Sequence, residues 1–212
     1  SDDGNTVAIG APYNDNIGQD AGHVRIYNYN GSSWNKLGDD IDGEAWNDHS
    51  GISISLSDDG NTVAIGAPGN NGNGNSSGHV RIYTWGGSSW TQIGQDINGE
   101  AAYDGSGYSV SLSSDGNTVA IGAPYNDANG LNSGHVRIYT WSGSAWTQIG
   151  QDIDGEAADD WSGFSVSLSS DGSIVVIGAY YNDGNGNSSG HIRIYSYNGS
   201  SWNQLGQDID GE

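Results

Sequence analysis

Residues 1–10 read SDDGNTVAIG, and this stretch returns at Ser57, at Ser113 and, more loosely, at Ser169. The spacing is 56 residues each time, and the second and third copies are identical at 44 of 56 positions. Self-similarity at a fixed period is the signature of a repeat architecture. The chain therefore divides into the repeats 1–56, 57–112, 113–168 and 169–212, of which the last is incomplete.

Each copy contains four strand-like runs separated by turn residues. In the second copy they are TVAIGA at 62–67, GHVRIY at 78–83, SWTQIG at 89–94 and SGYSVSL at 106–112. Bulky residues alternate with small or polar ones in these runs, which is the strand pattern. No segment has a helical period, and glycine occurs throughout every copy. The sequence therefore predicts an all-β class.

Four short strands in 56 residues correspond to one four-stranded antiparallel blade of a β-propeller. Val63 and Ile65 lie on one strand face and Ala64 and Gly66 on the other, so a bulky face can meet a small-residue face of the next blade. Residues 1–212 then form one propeller or a propeller segment. The chain has three Ser-x-Ser-Leu strands for four Val-Ala-Ile strands, so one blade is a strand short.

Charge limits the partners. Five Lys and Arg residues stand against 26 Asp and Glu residues, which gives a net charge of −21. Such a chain repels phosphate backbones and anionic lipids, so neither nucleic acid nor membrane insertion is expected. Divalent cations and basic proteins are better partners, although the acids also fit a role in solubility alone. The absence of cysteine excludes disulfides and thiolate metal sites.

An acidic loop follows the third run of each copy and is the strongest candidate for a metal site. Its carboxylates alternate with turn residues, and calcium takes six to eight oxygen ligands. The alternative is that these acids solvate the loop or pair with the one Arg of the repeat. The candidate ligands are Asp40, Asp42, Glu44, Asp48, Asp96, Glu100, Asp104, Asp152, Asp154, Glu156, Asp160, Asp208, Asp210 and Glu212.

Three other features recur in the copies. A loop rich in Gly and Asn follows the proline, and it favours either a sugar site or a tolerant surface loop. A His and an Arg two residues apart share one strand face, as in His79 and Arg81, and the Arg is expected to pair with a loop Asp. The alternative is that the four His converge on a central channel and bind a transition metal. A Trp begins the third strand, as in Trp90, and is expected to anchor blade packing, with sugar stacking as the alternative.

The sequence contains no nucleophile with a base partner and no phosphate-binding loop. Equal copies of one acidic loop do not single out the two distinct carboxylates that a glycosidase needs. We therefore predict that the chain is not an enzyme.

The strand pairs resemble the FG-GAP repeat of integrin-like propellers. GFSVSL at 163–168 and VVIGA at 175–179 resemble its two strands, and IGAP at 65–68 resembles its GAP element. Members often carry a calcium loop between these strands, but the link at 56–61 is too short for that ligand set.

The resemblance implies a propeller that is secreted or on the cell surface. It implies an extracellular repeat scaffold for adhesion or protein–protein interaction, with bound calcium as a further expectation. The alternative is a multivalent, lectin-like glycan binder. A homo-oligomer or further repeats would then complete the ring.

Overall fold

The computed structural model describes residues 1–212 and contains strands without any helix. No helical segment with the length and apolarity that a bilayer requires is therefore present. Nineteen strands form four separate antiparallel sheets, which we call blades 1 to 4 in chain order. This architecture confirms the predicted all-β class and the propeller built from antiparallel blades.

The strands have the following bounds. Blade 1 contains β1 (Thr6–Ala11), β2 (His23–Tyr29), β3 (Trp34–Lys36) and β4 (Ile41–Asp42). Blade 2 contains β5 (Ser53–Leu56), β6 (Thr62–Ala67), β7 (His79–Trp85), β8 (Trp90–Gln92) and β9 (Ile97–Asn98). Blade 3 contains β10 (Ser109–Leu112), β11 (Thr118–Ala123), β12 (His135–Trp141), β13 (Trp146–Gln148) and β14 (Ile153–Asp154). Blade 4 contains β15 (Ser162–Leu168), β16 (Ile174–Ala179), β17 (His191–Tyr197), β18 (Trp202–Gln204) and β19 (Ile209–Asp210).

Within a blade the strands follow one another in sequence order. In blade 3, β10 pairs with β11 and β11 pairs with β12. Both β13 and β14 pair with β12, so the outer strand of the blade is broken into two short pieces. The strand at the other edge, β10, lies against β5 and β15 of the neighbouring blades, and we call it the inner strand.

A tight turn joins each inner strand to the next strand. In blade 3 Gly116 has a φ of 70°, a left-handed conformation that glycine adopts without steric cost. Asp115 accepts a hydrogen bond from the backbone N–H of Asn117 at 2.9 Å. The turns of successive blades are also joined, because the Ser114 N–H donates to the Ser170 carbonyl at 2.9 Å. The hairpins predicted from Asp-Gly are confirmed.

The sheets are out of phase with the sequence repeats. The inner strand of blade 2 is β5, which comes from the end of the first repeat, and blades 3 and 4 also take their inner strands from the preceding repeat. Blade 1 has no inner strand, and the free edge of β1 stands in its place. The prediction that one blade is a strand short is therefore confirmed.

The core lies between blades. Val63 and Ile65 of blade 2 pack against Val24 and Ile26 of blade 1 in a buried cluster. Ala64, on the opposite face of the same strand, belongs to the cluster between blades 2 and 3. Burying a Val or Ile side chain stabilises a fold by roughly 1.5–3 kcal/mol. The predicted meeting of bulky and small faces is confirmed, and blade-to-blade packing supplies the apolar core.

A tryptophan links each blade to the preceding one. Trp146 is 3% exposed, and its indole N–H donates to the Ile93 carbonyl of blade 2 at 3.0 Å. Trp90 and Trp202 make the same bond to Leu37 and Ile149. Trp34 has no preceding blade and is 47% exposed. The packing role predicted for these residues is therefore confirmed where a neighbouring blade exists.

The inner strand of each blade lies very close to the second strand of the preceding blade, as β15 does to β11. A Cβ placed on Gly122 would lie 2.0 Å from the Gly163 carbonyl oxygen of blade 4. Serine side chains add hydrogen bonds at this boundary, and Ser109 Oγ donates to the same carbonyl at 2.7 Å. The small residue of the Ile-Gly-Ala run is therefore required by blade packing.

The two terminal blades each leave one apolar face uncovered. On blade 1 the uncovered face includes Ile9, which is 54% exposed, together with Trp34. On blade 4 it includes Ile192 and Ile209, whose counterparts in the other blades are buried. Inside the molecule, faces of these two kinds pack against each other at every boundary between successive blades.

Candidate functional site

One carboxylate of each predicted metal loop is used for structure. Asp104 is buried, and its Oδ2 accepts hydrogen bonds from the Ala101 N–H at 2.9 Å and from Asn126 Nδ2 at 3.1 Å. Asp48 and Asp160 make the corresponding bonds. These residues fasten the acidic loop to the loop that follows the Gly-Ala element of the next blade. Their assignment as metal ligands stays a prediction.

Other carboxylates from these loops converge on a histidine. Glu100 of the loop after blade 2 meets His135 and Asp152 of blade 3, and the three potential ligand atoms lie within 4.8 Å of one another. The His135 Nδ1 and Glu100 Oε2 atoms are 3.9 Å apart. The same group recurs as Glu44, His79 and Asp96 and as Glu156, His191 and Asp208. Each Glu-His-Asp group offers ligands that a metal ion can use.

An arginine borders each Glu-His-Asp group. Arg137 Nη1 lies 3.4 Å from Glu100 Oε1, and its Nη2 donates to the Asn98 carbonyl at 2.8 Å. The pairing partner of this Arg is a glutamate of the preceding blade, whereas sequence reasoning expected an aspartate. Glu100 therefore faces the arginine with one oxygen and the histidine with the other.

Burial shifts the pKa values of the group. Burial lowers the pKa of His135 to about 4, with the neighbouring positive charge of Arg137 as a further cause. Its imidazole is therefore neutral at neutral pH, which is the form that binds metal ions. Burial also raises the pKa of Glu100, and the negative charges of Asp152, Asp104 and Asp154 add to that rise.

In blade 1 the histidine and the arginine face no glutamate from a preceding blade. Arg25 forms a bidentate pair with Asp40, with nitrogen–oxygen distances of 2.9–3.1 Å, and Lys36 contacts the same carboxylate. These cations hold the pKa of Asp40 well below its usual range. The predicted Arg–Asp pair occurs here. His23 is buried beside no glutamate, and its Nδ1 lacks a hydrogen-bond partner.

The remaining predicted ligands lie at the edges of these groups. Asp42, Asp154 and Asp210 lie on the last strand piece of their blades, opposite His23, His135 and His191 respectively. Burial raises the pKa of Asp154. Glu212 has no histidine from a following blade to meet.

The short turn where the family often carries calcium does not fit that ion. Asp59 is its best oxygen donor, but Oδ1 accepts from Ser57 Oγ at 2.6 Å and Oδ2 accepts from Asn61 Nδ2 at 3.0 Å. The carboxylate is thus held inside the turn, and the turn offers far fewer than six oxygen ligands.

Sequence reasoning placed the histidines on strands and the acids on loops, and it did not bring them together. Glu100 and His135 belong to different repeats, and only blade packing makes them neighbours. The strict recurrence of Gly-His at the start of each long strand is the signal that pointed to this position.

A row of aromatic side chains runs along loops at the ends of the inner strands in blades 3 and 4. Neighbouring rings have centroid separations of 4.6–5.9 Å, and most of them meet edge to face. We call this set the aromatic row, and it contains Tyr108, Tyr125, Trp161, Phe164, Tyr180 and Tyr181. The repeat copies differ here: Gly105 stands in the place of Trp161, and Gly69 in the place of Tyr125.

Repeated antiparallel blades that pack face to face, with loop residues gathered at their boundaries, define the class of β-propeller repeat proteins. The sequence model of the FG-GAP repeat family matches residues 98–139 and 153–195. These two stretches of the chain are similar to FG-GAP repeats, as the sequence resemblance predicts. Repeats of this family form scaffolds for protein interaction and are typical of extracellular proteins. No curated protein sequence matches the chain.

Among the solved structures that match, one is described as a "putative 6-phosphogluconolactonase" from Bacteroides uniformis. The match has a TM-score of 0.63 and 13% sequence identity, and it covers 91% of this chain and 50% of the other. This chain therefore spans about half the length of that protein. At this identity the likeness shows a shared fold.

The comparison corrects one prediction. The sequence analysis predicts that the chain is not an enzyme because one acidic loop is repeated without a distinct catalytic pair. That prediction is wrong, because it excludes an enzyme and a protein with the same fold is described as one. One propeller architecture supports many functions, so the fold does not exclude catalysis.

Proposed function

We propose that this chain is an extracellular adhesion scaffold that binds a protein partner through the aromatic row. The observation that carries the proposal is the continuous contact of six aromatic rings outside the core, five of them on loops and one, Phe164, on β15. Tyrosine and tryptophan dominate the binding energy of protein interfaces because they bury a large area at low entropic cost.

The repeat copies support this assignment. Residues between blades are nearly the same in every copy, whereas Trp161 and Tyr180 replace a glycine and a proline of the preceding copy. Variable loops on a rigid scaffold are where binding residues concentrate. The net charge of −21 favours a basic partner surface.

Adhesion of coated beads to a panel of immobilised extracellular proteins tests the proposal. Exchanging Tyr180 and Tyr181 for Ser should reduce capture at least tenfold, because both rings are exposed parts of the aromatic row. Tyr29→Ser is the matched control, since this exposed tyrosine packs beside Trp34 and outside the row. Equal capture by the double variant and the unaltered chain would rule out the row as the binding surface.

A second candidate function is glycan binding. A groove of about 550 Å³ is lined by Tyr103, Tyr108, Tyr125 and Asn132. Aromatic rings beside side-chain amides suit a sugar, and several weak sites in one array would give avidity. A glycan array probed with the chain on multivalent beads tests this idea. Binding that vanishes with Tyr125→Ala supports it, and an array without signal removes it.

The acidic loops are the one place where we propose that calcium binds. A bound ion stabilises the folded state by mass action, so calcium would raise the melting temperature. Identical melting curves in calcium and in chelator would remove calcium. Antibody labelling of intact and permeabilised source cells tests the extracellular assignment, and labelling that requires permeabilisation would contradict it.

We further propose that a second copy or additional repeats cover the uncovered faces of blades 1 and 4. Their side chains match the two faces that pair between blades 1 and 2, 2 and 3, and 3 and 4. The sequence alone allows either source of the missing contact.

A further inference from the structure

A polar group lies at each of the three boundaries between successive blades. It joins a glutamate of one blade, a histidine that begins the long strand of the next blade and an aspartate of that blade. We propose that each of these three groups binds a divalent transition-metal ion, such as Zn²⁺, through one nitrogen and two carboxylate oxygens. The groups differ from the family's calcium position, which is the turn at the inner strand.

The histidine is the observation that points to a ligand. His135 is 1% exposed, and neither Nδ1 nor Nε2 has a hydrogen-bond partner. A buried imidazole without partners is costly, and coordination of Nδ1 satisfies one of the two nitrogens. His79 and His191 are also buried and each carries an unpaired Nε2, while their Nδ1 atoms lie 3.9 and 3.8 Å from Glu44 and Glu156.

The carboxylates supply the other ligands. Glu100 Oε2 lies 3.9 Å from His135 Nδ1, while its Oε1 faces Arg137 at 3.4 Å. Zinc binds His nitrogen and carboxylate oxygen at about 2.0–2.2 Å, which places tetrahedral donors roughly 3.4 Å apart. The His135–Glu100 pair therefore needs to close by about half an ångström, and a pair at the 4.8 Å limit by about 1.5 Å. The Glu100 side chain is 44% exposed and has the freedom to make that movement.

The electrostatic surroundings favour a cation despite the arginine. Asp152, Asp104 and Asp154 all act on Glu100 as negative neighbours, and Arg137 is the one positive neighbour. A divalent ion at the group would reduce the repulsion among these carboxylates, two of which, Asp104 and Asp154, lie outside the proposed ligand set.

The donor set selects the kind of ion. Calcium prefers six to eight oxygen ligands, whereas an imidazole with two carboxylates suits zinc and similar ions. Three protein ligands leave at least one position for water or for a group from outside the chain.

The ends of the chain supply natural controls. His23 lies in blade 1, where no glutamate faces it and Arg25 and Lys36 occupy Asp40. Glu212 is the last glutamate of the series and has no histidine. The proposal therefore predicts three ions per chain and excludes a fourth.

Titration of the chelator-treated full chain with Co²⁺, followed by visible absorption and by calorimetry, tests the proposal. We expect three equivalent sites. His135→Gln should leave two, while His23→Gln, an equally buried histidine outside any group, should leave three. Zn²⁺ should displace Co²⁺ and raise the melting temperature.

Glu100→Gln provides a test that does not depend on altering a buried residue. It should weaken one of the three sites at least tenfold, and Glu212→Gln should weaken none. The proposal is overturned if no Co²⁺ absorption band forms, or if Glu100→Gln and His135→Gln leave the number of bound ions unchanged. Binding of Ca²⁺ with the same three sites and no dependence on His135 would also overturn it.

Discussion

At the residue scale, the most informative comparison is between equivalent side chains in different blades. Trp146 is buried and donates its indole N–H to blade 2, whereas Trp34 holds the equivalent position in its repeat but has no preceding blade. The tryptophan was predictable as a packing residue because it recurs with the repeat. Its burial at each position depends on whether a neighbouring blade is present, and the local sequence does not contain that information.

We therefore expect Trp146→Ala to lower the free energy of unfolding by about 3–5 kcal/mol, through lost burial and the cavity left behind. Trp34→Ala should lower it by less than about 1 kcal/mol because this side chain is 47% exposed. Urea unfolding followed by circular dichroism measures both. Equal losses would contradict the assignment of Trp146 as a link between blades.

The buried histidines make stability depend on pH. Burial lowers the pKa values of His79 and His135 to about 4, below the value of about 6.5 for an unfolded chain. Between these values the unfolded chain binds protons that the folded chain does not. Stability is thus complete above about pH 6.5 and declines as the pH falls towards 4, by up to about 3 kcal/mol per histidine.

Chemical unfolding at a series of pH values in chelator checks this expectation. The His79→Gln and His135→Gln double variant should show a shallower decline over that window. Glu100, whose pKa is raised, acts in the opposite direction, so comparison with the variant isolates the histidines. A decline of the same steepness in both proteins would show that other groups cause it.

At the element scale, the strand that ends in Ile-Gly-Ala is shaped by the blade beside it. Its alternation of bulky and small residues was sufficient to predict the strand, its faces and the hairpin at Asp-Gly. The Glu-His-Asp groups were not predictable, because Glu100 and His135 lie on elements of different repeats. Spacing along the chain does not determine how two sheets approach one another.

Gly122→Ala tests the close approach. The added Cβ would overlap the Gly163 carbonyl, so we expect a loss of stability of at least about 1–3 kcal/mol. Gly178→Ala is the matched control. The one short contact of a Cβ there is with the rotatable Ser165 side chain, and a Cβ on Gly122 makes the equivalent contact with Ser109 in addition to the carbonyl contact. Thermal unfolding compares them, and similar melting temperatures would argue against backbone overlap as the reason for glycine.

At the scale of the whole molecule, four similar blades form a repeat array whose apolar core clusters lie between successive blades. Stability in such arrays is approximately the sum of repeat terms and boundary terms. The sequence predicted four repeats and that one blade is a strand short, and the structure identifies that blade as blade 1. The uncovered faces follow from the structure, since Ile192 and Ile209 occupy positions that are buried in every other blade.

These faces should make the chain associate head to tail at high concentration. Ile209→Asp on the uncovered face of blade 4 should raise the dissociation constant at least tenfold, because it replaces an apolar contact of about 1.5–3 kcal/mol with a charge. Ile17→Asp, at an equally exposed loop position, should leave it unchanged. Sedimentation equilibrium measures both, and a monomer at all concentrations would remove the second copy as the covering partner.

The sheets are offset from the sequence repeats by one strand, and this offset has one more consequence. Because each of the first three repeats donates its final strand to the sheet that follows, inserting one whole repeat between two others would recreate the same blade boundary on both sides of it. In the four blades described, β1 has a free edge and the face of blade 4 with Ile192 and Ile209 is uncovered. Duplication of an internal repeat would therefore add a blade while the contacts at each boundary stay the same.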